Sequence, residues 1–95
     1  MDLEFEWDEE KRLSNIEKHG IDFEDAIAVF DGRPATTKPS RFQNEPRLVT
    51  IAIVDNRFMT VVWTPRGDRI RLISARRSRH AEKRAHCSEA RRSNP

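Results

Sequence analysis

Arg76 and Arg77 stand side by side near the C-terminal end of this 95-residue chain. Each guanidinium is a planar fork of N–H donors that matches phosphate oxygens two at a time. The pair belongs to a basic block. Residues 66–95 hold nine Arg and one Lys against three acidic residues, Asp68, Glu82 and Glu89. Residues 1–31 do the reverse, with Lys11, Arg12 and Lys18 against eleven Asp and Glu. The charges are −8 over 1–31, +3 over 32–65 and +7 over 66–95, so a net charge of +2 hides a strong dipole. Such a cationic block suits a polyanion.

Proton transfer has fewer candidates. A neutral histidine accepts a proton near pH 7, which brings forward His19 in Lys18-His19-Gly20. A structural account explains the same three residues. Lys and His complement the dipole at a helix C-terminus, and Gly takes the left-handed conformation that stops the helix. His80 and His86 lie six apart, on opposite faces of a helix, and His86 with Cys87 makes too few ligands for zinc. No metal site and no cofactor are expected. Trp7 and Trp63 have faces that stack on bases, but each lies in a strand pattern and fits a half-buried position. Glu4, Glu6, Glu9 and Glu10 read as a solvated acidic face.

The length fits one domain over residues 1–90, with 91–95 as a frayed tail. Hydrophobic and charged residues each make up 36% of the chain, close to disordered composition, so apolar placement decides. That placement is periodic. The lone Cys87 cannot form an internal disulfide, which fits a reducing cytoplasm. The acidic, alternating N-terminus does not look like a secretory leader, and no stretch reaches membrane-spanning length.

Leu3, Phe5 and Trp7 alternate with acids, as in a strand with one buried face. Asp8 caps a helix to about Lys18, with Leu13 and Ile16 as its apolar stripe and Gly20 as its stop. Asp22 caps a second helix, in which Phe23, Ala26, Ile27 and Phe30 share one face and Ile21 staples to Ala26. Asp31-Gly32 ends it. The prolines of residues 33–46 suggest a short edge strand and then a mobile loop. Three strands follow with hairpin spacing. Leu48 to Val54 turns at Asp55-Asn56, Phe58 to Thr64 turns at Pro65-Arg66-Gly67, and Arg69 to Ala75 ends the meander. A last helix, thin in apolar residues, starts near Ser78 and runs to about Ala90. The layout is α+β, with two helices over one face of an antiparallel sheet and the arginines on the other.

Residues 4–86 resemble the BrnT family of toxins. The matching signatures are Trp7-Asp8, Lys11, Asn15, Lys18-His19-Gly20, Phe23, Ala26, Phe30-Asp31, Arg47, Arg66-Gly67-Asp68, Ile70-Arg71 and Ile73-Ser74-Ala75-Arg76-Arg77. The resemblance implies the toxin of a type II toxin–antitoxin pair on a RelE-like ribonuclease fold, cleaving RNA and stopping translation. It also implies an antitoxin of ribbon-helix-helix type, in a heterotetramer that binds operator DNA through the antitoxin. Family members often carry a tyrosine late in the final helix, after a basic run. Here the run ends Arg84-Ala85-His86, and the chain has no tyrosine.

RNA is cleaved without metal when the 2′-OH attacks the adjacent phosphorus and the 5′-oxygen leaves. The site must stabilise a doubly charged phosphorane, and preorganised arginines do this. Arg76 and Arg77 lead, with Arg47 and Arg66 expected to converge from neighbouring strands and His86 standing where the family sets tyrosine. Lys18, His19, Arg69, Arg71, Arg79, Lys83 and Arg84 are the candidates for holding the RNA. Any one arginine is better explained by backbone-phosphate binding or solubility, whereas for the Arg76-Arg77 pair the two accounts weigh evenly. A nucleic-acid-binding module without catalysis, or a degenerate toxin acting as corepressor, fits the same charge split.

Overall fold

The computed structural model describes residues 3–40 and 46–93, with side chains through Ser88. The chain runs β1 (Glu4–Glu6), α1 (Glu9–His19), α2 (Phe23–Ala26), a 3-10 turn (Ile27–Phe30), β2 (Ala35–Ser40), β3 (Arg47–Val54), β4 (Arg57–Arg66), β5 (Arg69–Arg77) and α3 (His80–Ser93). The strands form one sheet in the order β1-β5-β4-β3-β2.

The sheet is mixed, not antiparallel as the sequence pattern predicts. β1 lies parallel to β5, while the other three pairings are antiparallel. Local turns dictate the antiparallel meander. No turn links β1 to β5; charge pairing and a shared apolar face bring them together. Phe5 sits opposite Ile70, and the flanking pairs are Glu4–Arg69 and Glu6–Arg71. Arg71 donates to Glu6 at 2.7 Å and Arg69 to Glu4 at 3.2 Å. The N-terminal acids therefore neutralise part of the basic block.

Several local signals act as expected. The Asp8 side chain accepts from the Glu10 N–H, and Gly20, at φ 69°, ends α1 with its N–H on the Ile16 carbonyl. Asp22 accepts from the Glu24 N–H. Asp55 and Asn56 both hold positive φ, as a two-residue hairpin turn requires. The second turn falls at Gly67-Asp68, so Pro65 and Arg66 still belong to β4. The second helix tightens to a 3-10 turn from Ile27. There the side chain of Asp31 accepts from Arg33, which pulls its carboxyl down to about 2. β2 is an edge strand; the loop expected after it falls mostly on residues 41–45, outside the described residues. α3 reaches Ser93, three residues into the segment expected as a tail.

α1 does not bury the stripe its sequence suggests. Leu13 is 55% exposed and Ile16 36%, whereas Asn15 is only 5% exposed. The Asn15 amide explains the inversion. Its Nδ2 donates to the carbonyls of Ala75 and Ile21 at 2.8 and 2.9 Å, and its Oδ1 accepts from the Ala75 N–H at 3.1 Å. β1 pairs only with residues 69–71, so this side chain completes the edge of β5 farther along.

The core lies on one face of the sheet. Phe23, Ala26 and Val29 pack there on Ala52, Val54, Met59, Val61, Leu72 and Ala75. Phe30 stands edge-on to Trp63, and Trp7 edge-on to Phe23, so both tryptophans are packed within the fold. Leu72 and Ala75 share that face, although strict alternation would separate them. A bulge makes this possible. Trp63 pairs with Leu72 and Val62 with Ser74, leaving Ile73 as the extra residue. α3 lies on the opposite face, over β2 and β3.

Candidate active site and nucleic-acid interface

The bulge also sets where the arginines point. Arg77 pairs with Met59 on the core face, and Arg76 pairs with Thr60 on the α3 face. The two neighbours diverge rather than act as a pair.

Arg76 is tied down. Its Nη1 and Nη2 donate to the two carboxylate oxygens of Glu82 at 2.7 and 2.8 Å. Glu82 also accepts from the Arg79 N–H at 2.7 Å, closing half a capping box at the start of α3. Thr60 adds a longer bond to Glu82 and shares a 2.7 Å bond with Ser78. The Arg76 guanidinium, more than the backbone bond, holds the Glu82 carboxyl below its ordinary 4.5. A carboxyl depressed in the folded state contributes stability above its unfolded pKa and loses it as pH falls through the folded value. Glu82→Gln is therefore expected to cost on the order of 1 kcal/mol at pH 7, and less below about pH 4. Denaturant midpoints of both proteins at the two pH values check this; an equal gap at both contradicts it.

Arg77 is exposed and makes no ion pair among the described residues. It lines a groove of about 330 Å³ at the end of the sheet, where the β3–β4 turn meets the C-terminus of α1. Ile21, Val54, Phe58 and Met59 are its apolar lining, and Arg57, Asp25 and Asp55 are its other charged residues. Gly20 lines it too, and Lys18 and His19, both exposed, immediately precede it at the end of α1. The Asn15 bonds to Ala75 and Ile21 fix α1 against this end of β5. Gly20 and Arg77, one residue from each of two motifs far apart in sequence, thus line one groove. Arg57 was missed in the sequence; the hairpin register, with Val54 opposite Arg57, was the available signal.

Arg47 and Arg66 do not converge with Arg76 and Arg77. Arg66 ends β4, six residues past Thr60, a rise of about 20 Å. Arg47 opens β3 at that same far end, half-buried, one residue before the Leu48–Trp63 pair. Arg69 and Arg71 share that end with their glutamates. Arg79 and Arg84 are exposed near or on α3, and Lys83 lies 5.7 Å from the centre of the Phe58 ring. His86 is buried: its Nδ1 lies 2.8 Å from the Thr36 hydroxyl and its ring stands edge-on to Phe58. It holds α3 to β2 and does not face the groove. Among the described residues, no three His, Cys, Asp or Glu side chains are grouped to hold a metal. Nor is any described helix long and apolar enough to cross a membrane.

A family model described as the ribonuclease toxin, BrnT, of a type II toxin–antitoxin system matches residues 7–82. The chain belongs to this family. No curated protein matches it. The matched span starts at Trp7 and ends at Glu82, the partner of Arg76. It contains both Gly20 and Arg77 of the groove, and most of α3 lies beyond it.

With Arg69, Arg71 and Arg76 already paired to carboxylates, Arg66, Arg77, Arg79, Lys83 and Arg84 are the cations of the basic block that make no ion pair among the described residues. Neutralising about five phosphates of single-stranded RNA gives a roughly hundredfold loss of affinity for a fourfold rise in salt. Titration of labelled RNA at two salt concentrations measures this, and a near-constant affinity contradicts it.

Proposed function

We propose that this BrnT-family toxin is a metal-independent endoribonuclease whose active site is the groove between α1 and the end of the sheet. One observation supports the proposal: Gly20, which directly follows Lys18-His19, lines that groove together with Arg57 and with Arg77, which has no ion pair among the described residues. Arg77 and Arg57 hold the scissile phosphate and stabilise the charge that develops on it. His19 takes the 2′-OH proton or supplies one to the leaving 5′-oxygen. Arg76, fixed by Glu82, positions the strand end and α3. Arg66, Arg79, Lys83 and Arg84 track the RNA backbone, with Arg47 at the far end of the sheet. Cleavage stops translation in the cytoplasm. The fold is RelE-like, and a ribbon-helix-helix antitoxin neutralises the toxin in a heterotetramer that binds operator DNA. Induced expression should arrest growth and shorten cellular RNA, and co-expression of the antitoxin should restore both. Growth arrest with intact RNA contradicts the reading.

A degenerate toxin retained as corepressor is the second reading. The observation favouring it is His86, which follows the basic run where the family sets tyrosine yet is buried against Thr36 and Phe58. It predicts operator binding with the antitoxin and no RNA cleavage by the purified protein.

A further inference from the structure

The outer side of α1 carries apolar surface that the fold does not use. Leu13 and Ile16 are three residues apart and lie on one side of the helix, 55% and 36% exposed. Glu9, Glu10 and Glu17 are helical neighbours of Leu13, and Arg12 and His19 of Ile16. Glu9 is bonded to Arg12. Glu10 and Glu17 are exposed, with no ion pair among the described residues. Asn15 supplies the inward anchor of α1, so burying Leu13 and Ile16 is not what holds the helix in place. An apolar pair with two free carboxylates beside it is complementary to an apolar anchor flanked by Lys or Arg.

We propose that this face of α1 docks an amphipathic, basic segment of the antitoxin. Membership in a type II toxin–antitoxin family supplies the partner, and the Glu10 and Glu17 carboxylates supply its chemistry. Seven residues separate Leu13 from Gly20, about 10 Å along the helix. A segment seated on Leu13 and Ile16 therefore lies within about that distance of Gly20, which lines the groove. The inference rests on the toxin–antitoxin reading and is independent of whether the groove cleaves RNA.

The test is calorimetric titration of the purified protein with the product of the neighbouring antitoxin reading frame. The Leu13→Glu/Ile16→Glu double variant is expected to bind more than about tenfold more weakly. Its thermal midpoint should be unchanged, because both residues are exposed. Glu10→Lys/Glu17→Lys should also weaken binding, with the loss largest at low salt. Unchanged affinity in both variants overturns the proposal. So does a concentration-dependent dimer of the toxin alone that the Leu13/Ile16 variant abolishes, since the face would then join two copies. Because the readout is affinity, docking is tested even on a protein that fails to cleave RNA.

Discussion

Arg77→Ala is expected to lower RNA cleavage about a hundredfold, the cost of removing one preorganised donor from a developing charge. Arg77 is exposed, pairs across the sheet with Met59 and makes no ion pair among the described residues. Its loss should therefore change stability by less than about 0.5 kcal/mol. Arg76→Ala separates the two arginines. It strips Glu82 of a two-point partner, so it should lower stability more than activity per folded molecule. Lys11→Ala, exposed on α1, is the control for a general loss of positive charge. Initial cleavage rates of the four proteins, with circular dichroism to confirm folding, check these outcomes. Full activity of Arg77→Ala would remove the groove from the mechanism.

Asn15→Leu should be among the most destabilising single substitutions. Leucine matches the volume but leaves the Ala75 N–H and C=O and the Ile21 carbonyl without their partner. Unsatisfied buried backbone groups cost about 1–3 kcal/mol each, so a loss of roughly 3 kcal/mol is expected. In a domain of this size that lowers Tm on the order of 10–20 °C. Since α1 would lose its hold on β5 beside the groove, RNA binding should weaken as well. Ser74→Ala removes only a 3.4 Å contact to the same oxygen and serves as the comparison. A thermal midpoint within a few degrees of the wild type would show that water replaces the amide.

Signals that act over a few residues were legible in the sequence. Asp8, Asp22, Gly20 and Asp55-Asn56 set caps and turns through their own backbone preferences. The alternation of Arg69 and Arg71 with Ile70 and Leu72 gave the faces of β5 as far as Leu72, but not those of Arg76 and Arg77 beyond the bulge. What depended on distant partners was not legible. β1 joins β5 across more than sixty residues, with no turn to announce it. Asn15 buries an amide because an unpaired strand edge lies opposite, so the apolar residues of α1 face outward. The bulge at Ile73 was hidden as well, and it turns Arg76 toward Glu82 and Arg77 toward the groove. The distance from Arg66 to Arg77, by contrast, follows from strand rise once the two hairpin turns are placed. Arg57 was open to the same reasoning.

Cleavage by attack of the RNA's own 2′-OH, driven by arginine and histidine side chains, leaves its mark on the product ends. Those ends should be determined after purified wild-type protein cuts RNA in excess chelator. The expected products carry 5′-hydroxyl ends and 2′,3′-cyclic phosphate or 3′-phosphate ends, formed at an undiminished rate. Products with 5′-phosphate and 3′-hydroxyl ends, or cleavage abolished by the chelator, would rule this chemistry out.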